Sequence, residues 1–156
     1  MIPINEMPDQ SRVWVYQSDR KFSNEEVAKI EDKLTYFISN WTSHGITLKA
    51  SGAVLYNRFV ILFADDESVK VSGCSIDKSV AFIKQLEKEF SCDFFNRLLV
   101  AYKSGDEIKT FHLSEKDELI SQGIITDSTI IFNNLIQKKS DFLNNWQQRL
   151  SESWLN

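Results

Sequence analysis

The chain has 156 residues and a net charge of −4, and 42% of its residues are hydrophobic. Its five glycines and two prolines are fewer than the roughly 12% of average usage, which excludes collagen-like, linker-rich and low-complexity chains. The charges are spread evenly over both halves, without the dense basic patch of a duplex nucleic-acid binder. We therefore expect one folded, soluble domain for which nucleic acid is not a partner.

The N-terminus and the cysteines predict the compartment. The first residues, Met1 to Asp9, have no basic region and no long apolar stretch, so we do not expect a signal peptide. The longest apolar run has six residues, whereas a bilayer span needs roughly 20. Cys74 and Cys92 are the only cysteines, and two free thiols suit a reducing compartment. We expect a cytoplasmic protein with no membrane partner.

The chain begins with a strand and a helix. Residues 12–18 are apolar on both faces, which is typical of a strand covered on two sides. Residues 23–41 give the clearest helix, because Ser23 and Glu26 match a capping box and an apolar stripe follows at helical spacing. Gly45 is placed to end this helix.

The middle of the chain predicts two strands and a second helix. Residues 46–65 contain two apolar segments, and the turn between them lies at Ser51-Gly52 or at Asn57-Arg58; the pattern does not choose between these. Residues 75–90 then repeat apolar side chains at helical spacing.

The remaining elements are shorter. A hairpin is predicted around Ser104-Gly105-Asp106, and a short helix begins near Ser114 and ends at Gly123. A strand over 129–132 and a helix over 140–153 complete the chain. Trp154 either continues the inward face of this last helix or is available to a partner, and the pattern does not choose between these.

The predicted order is βαββαββαβα. It indicates a single α+β domain in which helices pack on a mixed β-sheet. We assign residues 1–11 to an N-terminal extension and residues 12–156 to the domain.

The most informative segment for chemistry runs from Ser72 to Ser79, between a strand and an amphipathic helix. The free amides of a helix N-terminus form an anion site, and they also favour the thiolate of a cysteine placed there. Asp77 stands in the first turn, where a carboxylate caps the helix start. The candidate anion-binding residues are Ser72, Gly73, Ser75 and Lys78, and the candidate reactive thiol is Cys74.

The same segment also has a structural interpretation, which the sequence favours. Ser72 or Ser75 is then an ordinary N-cap, and Asp77 is a first-turn carboxylate that interacts with the helix dipole. Cys74 is in that case a small buried side chain.

Partners for Cys74 would come from elsewhere in the chain. His44 lies in the loop Trp41-Thr-Ser-His-Gly45, and a Cys74–His44 couple would make a nucleophile and its base. The alternative, which we favour, is that His44 interacts with the negative end of the first helix. Further positively charged side chains that could line a site for an anion are Arg58, Lys49 and Arg97. Single lysine and arginine side chains, however, usually only interact with solvent at the surface.

Three common kinds of site are excluded or disfavoured. A phosphate-binding Walker loop needs glycine directly before its lysine, but Asp77 precedes Lys78. Paired metal-ligand spacings such as C-x-x-C are absent from the sequence, so we expect no metal and no cofactor. The acidic run Asp65-Asp66-Glu67 could hold Mg²⁺, but such a run is more often a solvated turn.

Several segments carry a resemblance to known proteins. They are Arg12–Arg20, Trp41–Gly45, Tyr56–Phe59, Ser72–Val80 and Ile131–Asn134. With these segments the chain resembles a family of short, uncharacterised proteins of Bacteroidetes-type bacteria that often have the label "ABC transporter ATPase". The resemblance covers nearly the whole chain after residue 11, and it implies a small cytoplasmic protein without assigned catalytic residues. Because the Walker loop is absent, we do not expect an ABC-type ATPase.

Two functions follow from these observations. The first is a binding or interaction module without catalysis, which could form a homo-oligomer. The second is a small enzyme or anion-binding protein that uses the helix start at residues 72–78 for a small anionic ligand. We favour the first, because no strong catalytic constellation is present in the sequence.

Overall fold

The computed structural model describes residues 1–155 of the chain, so Asn156, the last residue of the predicted domain, lies outside the described residues. The predicted α+β class is confirmed. Within residues 1–155 there are four α-helices and nine strands. The helices are α1 (Asn24–Ser39), α2 (Gly73–Phe90), α3 (Lys116–Ser121) and α4 (Lys139–Asn145). The strands are β1 (Arg12–Gln17), β2 (Thr42–Ser43), β3 (Ile46–Thr47), β4 (Ala50–Leu55), β5 (Phe59–Ala64), β6 (Leu99–Ser104), β7 (Glu107–His112), β8 (Ile130–Phe132) and β9 (Gln147–Arg149).

The strands form three sheets, in the orders β1-β5-β4, β2-β3 and β7-β6-β8-β9. Every pairing among the described strands is antiparallel, so the expected mixed sheet is wrong. A parallel pair needs a crossover that returns the chain to the same sheet. Here α1 leads from the first sheet to the small β2-β3 hairpin, and α2 leads from the first sheet to the four-stranded sheet.

The prediction for the turn between β4 and β5 and the prediction for Gly45 have different outcomes. The turn between β4 and β5 lies at Tyr56 and Asn57, both at positive φ, which is the second of the two positions left open. Gly45 does not end α1, because that helix already stops at Ser39. With His44 at φ 51° and Gly45 at φ 79°, this pair forms the two-residue turn between β2 and β3.

The last predicted helix is shorter than expected. Phe142, Trp146 and Leu150 recur every four residues, which is typical of a helix, but α4 ends at Asn145. Gln147–Arg149 instead pair with β8, because these residues complete the edge of the four-stranded sheet. Tertiary pairing here overrides the local pattern.

The hydrophobic core is organised around β5, whose six residues are all buried. Alternate side chains of a strand face opposite sides, so Val60 and Leu62 face α1 and α2 while Phe59 and Ile61 face the four-stranded sheet. The layers are therefore two helices, the three-stranded sheet, the four-stranded sheet, and α3 with the C-terminal segment on the far side.

The N-terminal residues pack against this body. Met7 is buried, and its carbonyl accepts a hydrogen bond of 2.6 Å from Nζ of Lys139, which is itself buried. The backbone N–H of Ile2 donates to the carbonyl of Ala50 at 3.1 Å. These bonds connect the first residues to α4 and β4.

Candidate functional site

A groove of about 550 Å³ runs along the edge of β1 that does not pair with β5. All six residues of β1 line its floor. One wall consists of Val80 of α2 and the segment 94–97, and the opposite wall includes Leu99, Phe132 and the segment 134–137. We call this feature the β1 groove.

The backbone of β1 has unpaired groups inside the groove. The N–H of Val13 points away from β5, since it donates to the carbonyl of Gln137 at 3.0 Å. Because the direction of backbone groups alternates along an antiparallel strand, the N–H groups of Val15 and Gln17 point the same way. Within residues 1–155 these two N–H groups, and the carbonyls of Val13 and Val15, have no hydrogen-bond partner. The free edge of β1 is therefore the floor of an open slot.

A chain of side-chain hydrogen bonds closes one end of the slot. The amide of Gln17 donates to the carbonyl of Leu99 at 3.0 Å and accepts from Nδ2 of Asn134 at 2.9 Å. Oδ1 of Asn134 in turn accepts from Nε1 of Trp146 at 3.0 Å. These bonds fix the position of the wall that contains Leu99 and Asn134 relative to β1. At the other end, Arg12 forms an isolated bridge with Lys138.

Aromatic side chains give the groove an apolar surface. Trp14 packs edge-on to Trp41, and Tyr16 packs edge-on to Phe95, each with ring centroids 5.7 Å apart. Burial raises the pKa of Tyr16, which keeps its hydroxyl neutral. Phe95 is 40% exposed and Trp154, which also lines the groove, is 47% exposed. These rings can contact an apolar ligand.

The charge in the groove is positive. Arg12 and Arg97 are the only charged side chains among the described residues that line it, and no carboxylate does. Neither arginine forms an ion pair within residues 1–155. The guanidinium of Arg12 lies 4.9 Å from the ring centroid of Trp14, a cation–π contact that leaves its edge available to an anion.

The start of α2, where the sequence placed the chemistry, has its serines engaged. Ser72 is the N-cap, and its Oγ accepts from the N–H of Ser75 at 3.1 Å in a capping box. Ser75 is fully buried; its Oγ donates to the carbonyl of Thr42 at 3.0 Å, and its own carbonyl accepts from Nε1 of Trp41 at 2.9 Å. These bonds attach the start of α2 to β2, so both hydroxyls serve the fold in this conformation.

The other residues of this segment are exposed. Cys74 is a free thiol at the surface, Asp77 is exposed, and Gly73 has open space around it. Nζ of Lys78 donates to Oγ1 of Thr42 at 3.2 Å. His44 lies in the turn that follows β2, in the hairpin against which α2 begins. The Cys74–His44 couple stays a prediction.

Arg58 lies away from this segment, since it precedes β5 while α2 begins beyond the other end of that strand. Six strand residues span roughly 20 Å, so the side chain cannot join Lys78 around one small anion. Arg58 is 8% exposed and donates to the carbonyl of Ser18 at 3.3 Å. Burial lowers the pKa of its guanidinium.

Two further observations concern metals and membranes. Among residues 1–155, no group of three or more His, Cys, Asp or Glu side chains is close enough to bind a metal ion. In the same part of the chain, no helix has the length and apolar character that crossing a lipid bilayer requires.

Comparison with known proteins adds no relative: no protein-family model, no curated protein and no solved structure matches this chain. The family resemblance of the sequence therefore stays a prediction.

Proposed function

We propose that the protein is a non-catalytic binding module whose β1 groove takes an anionic ligand with an apolar part. The observation that carries this proposal is the lining of the groove: two arginines without ion-pair partners, exposed aromatic rings, and no carboxylate among the described residues. Ligand sites typically combine an apolar surface with a few polar groups that fix orientation. The cytoplasm is the compartment that we propose, on the basis of the two free thiols.

The charge of the whole protein strengthens the argument. In a chain of net charge −4, a groove whose charged lining residues within 1–155 are both arginines is a local exception that attracts anions. A carboxylate or sulfonate in the groove is attracted by Arg12 and Arg97, and no carboxylate among the described lining residues repels it.

The test is a fluorescence titration with anilinonaphthalene sulfonate (ANS), which combines an aromatic body with one anionic group. We expect ANS to bind the native protein, and Arg97→Glu to weaken the binding at least about tenfold because it replaces attraction by repulsion. The matched control is Arg149→Glu, which makes the same charge change at an exposed arginine of β9 that does not line the groove. Equal ANS affinity of the two variants, or no binding by the native protein, would contradict the proposal.

A second candidate keeps the start of α2 as a reactive or anion-binding site. It is supported by the exposure of Cys74 in the first turn of an 18-residue helix, next to the unobstructed Gly73. A reactive thiol there requires Cys74 to be alkylated at least about tenfold faster in the native protein than in the urea-unfolded chain at the same pH. Equal rates in the two states would remove the reactive-thiol form of this candidate, and the absence of phosphate binding that depends on Lys78 would remove the anion-binding form.

A further inference from the structure

The unpaired backbone of β1 indicates which anionic ligand fits the groove. Resting on the binding function proposed above, we infer that the ligand is a peptide segment with acidic residues near both ends, which adds to β1 as a further strand. Addition of a strand to a free sheet edge is a recurring mode of peptide recognition in which main-chain hydrogen bonds supply the affinity.

The first argument is the position of the free groups. The N–H and C=O of Val15, the N–H of Gln17 and the C=O of Val13 follow one another along the slot at the spacing of a strand. A small anion could pair with one of the two N–H groups, but only an extended backbone presents donors and acceptors in the same alternation. Unpaired backbone groups in a partly buried groove are costly, so pairing them stabilises the complex.

The second argument is the apolar surface on both walls of the slot. A strand beside β1 would direct alternate side chains to opposite sides. Side chains on one side would contact Val80 and Phe95, and those on the other side would contact Leu135 and Ile136. Leu135 is 66% exposed and Phe95 is 40% exposed, so each wall has apolar surface that an added strand would cover. The middle of the peptide is therefore apolar on both faces.

The third argument is the placement of the cations. Arg12 is the first residue of β1, whereas Arg97 lies close to the other end, because Leu99 binds the side chain of Gln17. Along the strand these ends are roughly 17 Å apart. The segment 137–138 already pairs with Arg12 and Val13, so the free edge runs from the carbonyl of Val13 to the N–H of Gln17. An extended peptide of about seven residues covers this edge and continues slightly past both of its ends, so a carboxylate near each end would meet one arginine. If a second copy of β1 added to the slot in antiparallel orientation, its Arg12 would lie at the end where Arg97 is found. Repulsion between these two positive charges disfavours pairing between two copies of the chain.

The probe for the test is an acetylated and amidated peptide of about seven residues, with glutamate at each end and alternating valine and isoleucine between them, so that both faces of its middle are apolar. Two further peptides have the same side chains but are N-methylated at either the odd or the even positions of the central residues. Only one edge of the added strand faces β1, so only one methylation pattern removes the hydrogen bonds. We expect calorimetry to show at least about tenfold weaker binding for one pattern and less than about threefold for the other.

A residue-resolved measurement accompanies the titration. The amide protons of Val15 and Gln17 should exchange more slowly when the unmethylated peptide is bound, while those of Trp14 and Tyr16, which point to β5, should not change. Arg97→Glu should weaken the peptide at least about tenfold, and the control Arg149→Glu should not.

The outcomes separate this inference from the proposed function. If ANS binds with the expected dependence on Arg97 but the peptide does not bind, the inference is overturned and the proposed function stands. Equal effects of the two methylation patterns also overturn strand addition. A dimer in sedimentation that dissociates when the peptide is added would mean that a second copy occupies the slot, which overturns it as well. Failure of both ANS and the peptide removes both proposals.

Discussion

Gly52 of β4 shows how a single residue sets the distance between two layers. A Cβ atom at this position would lie 2.8 Å from Cδ1 of Ile38 and 2.8 Å from the carbonyl oxygen of Ile61. The absence of a side chain therefore lets α1 approach the three-stranded sheet. From the sequence alone Gly52 is assigned to a turn or a bulge, because the close approach of two distant segments leaves no local signal.

Gly52→Ala should destabilise the protein, because the backbone oxygen of Ile61 cannot move without disturbing the sheet. We expect a loss of about 1–3 kcal/mol in the free energy of unfolding, measured by urea denaturation. Gly73→Ala is the matched control, since nothing lies within 4 Å of its Cβ position. A change of less than about 0.5 kcal/mol is expected for the control, as for other unobstructed surface sites. Similar values for both variants would show that the contact at Gly52 does not matter.

The two cysteines should differ in reactivity. Burial is the main cause that raises the pKa of Cys92 to about 11, whereas Cys74 is exposed. The thiolate is the reactive form, so near neutral pH iodoacetamide should modify Cys74 at least about tenfold faster than Cys92. Peptide mapping by mass spectrometry measures both rates in one sample. The variant Cys92→Ser checks which modified peptide belongs to which cysteine. Comparable modification rates of the two cysteines in the native protein would contradict the described environment of Cys92.

Glu26 makes the stability depend on acid pH. The Arg20 side chain, with an N–O distance of 2.6 Å, and the N–H of Ser23 lower the pKa of this carboxyl to about 2. Because the folded pKa is depressed, the stabilisation is present above the ordinary pKa of 4.5 and is lost as pH falls through about 2. Glu26→Gln should therefore be less stable than the native protein near neutral pH, with a difference that shrinks toward pH 2.

Urea denaturation across this pH range measures that difference. Glu31→Gln, at an exposed position of α1, is the control and should not show the same convergence. A constant difference between native protein and Glu26→Gln at all pH values would contradict the role of the ion pair.

At the scale of elements, the start of α2 connects the helical layer to the β2-β3 hairpin. Ser75 is the third residue of the capping box of Ser72 and its hydroxyl also donates to Thr42, so one hydroxyl contributes to both local and tertiary structure. Ser75→Ala should lower the free energy of unfolding by about 1–3 kcal/mol, since the capping box is lost and the partly buried carbonyl of Thr42 loses its donor. Ser39→Ala, at an exposed serine near the end of α1, should change it by less than about 0.5 kcal/mol. An equal effect of the two substitutions would contradict the double role of Ser75.

Local signals predicted the elements well where one segment determines its own structure. The capping box of Ser23 and Glu26 is present with both of its hydrogen bonds, and Gly123 follows α3 at positive φ. The prediction that Gly45 ends α1 is wrong because glycine is common both after helices and in hairpin turns. The final helix was overextended because β9 exists only through its pairing with β8.

The groove could not be predicted from the sequence because its parts are far apart in the chain. Its floor is residues 12–17, and its walls come from residues near 80, 95 and 135. From the sequence, Arg97 is a candidate to bind an anion and Trp154 is a candidate to contact a partner, but only the fold brings them to the same surface. The two covered faces predicted for residues 12–18 are confirmed, because Trp14 and Tyr16 pack into one core cluster and Val13 and Val15 into another. The free edge of β1, in contrast, leaves no pattern in the side chains.

At the scale of the whole molecule, the layers explain why β1 has an open edge. The central strand β5 pairs with β1 on one side and with β4 on the other, and α1 and α2 cover one face of this sheet. The four-stranded sheet packs on the opposite face and contributes a wall of the groove instead of a strand beside β1. An edge strand that is free for pairing would promote aggregation if it were fully exposed. Here the two walls flank the edge of β1 and limit its exposure.

Amide hydrogen exchange of β1 in the free protein, resolved by residue with NMR, tests the central claim most directly because it requires no ligand. The amides of Trp14 and Tyr16 bond to β5, and that of Val13 bonds to Gln137. We predict that the amides of Val15 and Gln17 exchange at least about tenfold faster than these three. Equal protection of all five amides would contradict the account, because it would mean that the edge of β1 is already paired and that the groove has no free backbone to offer.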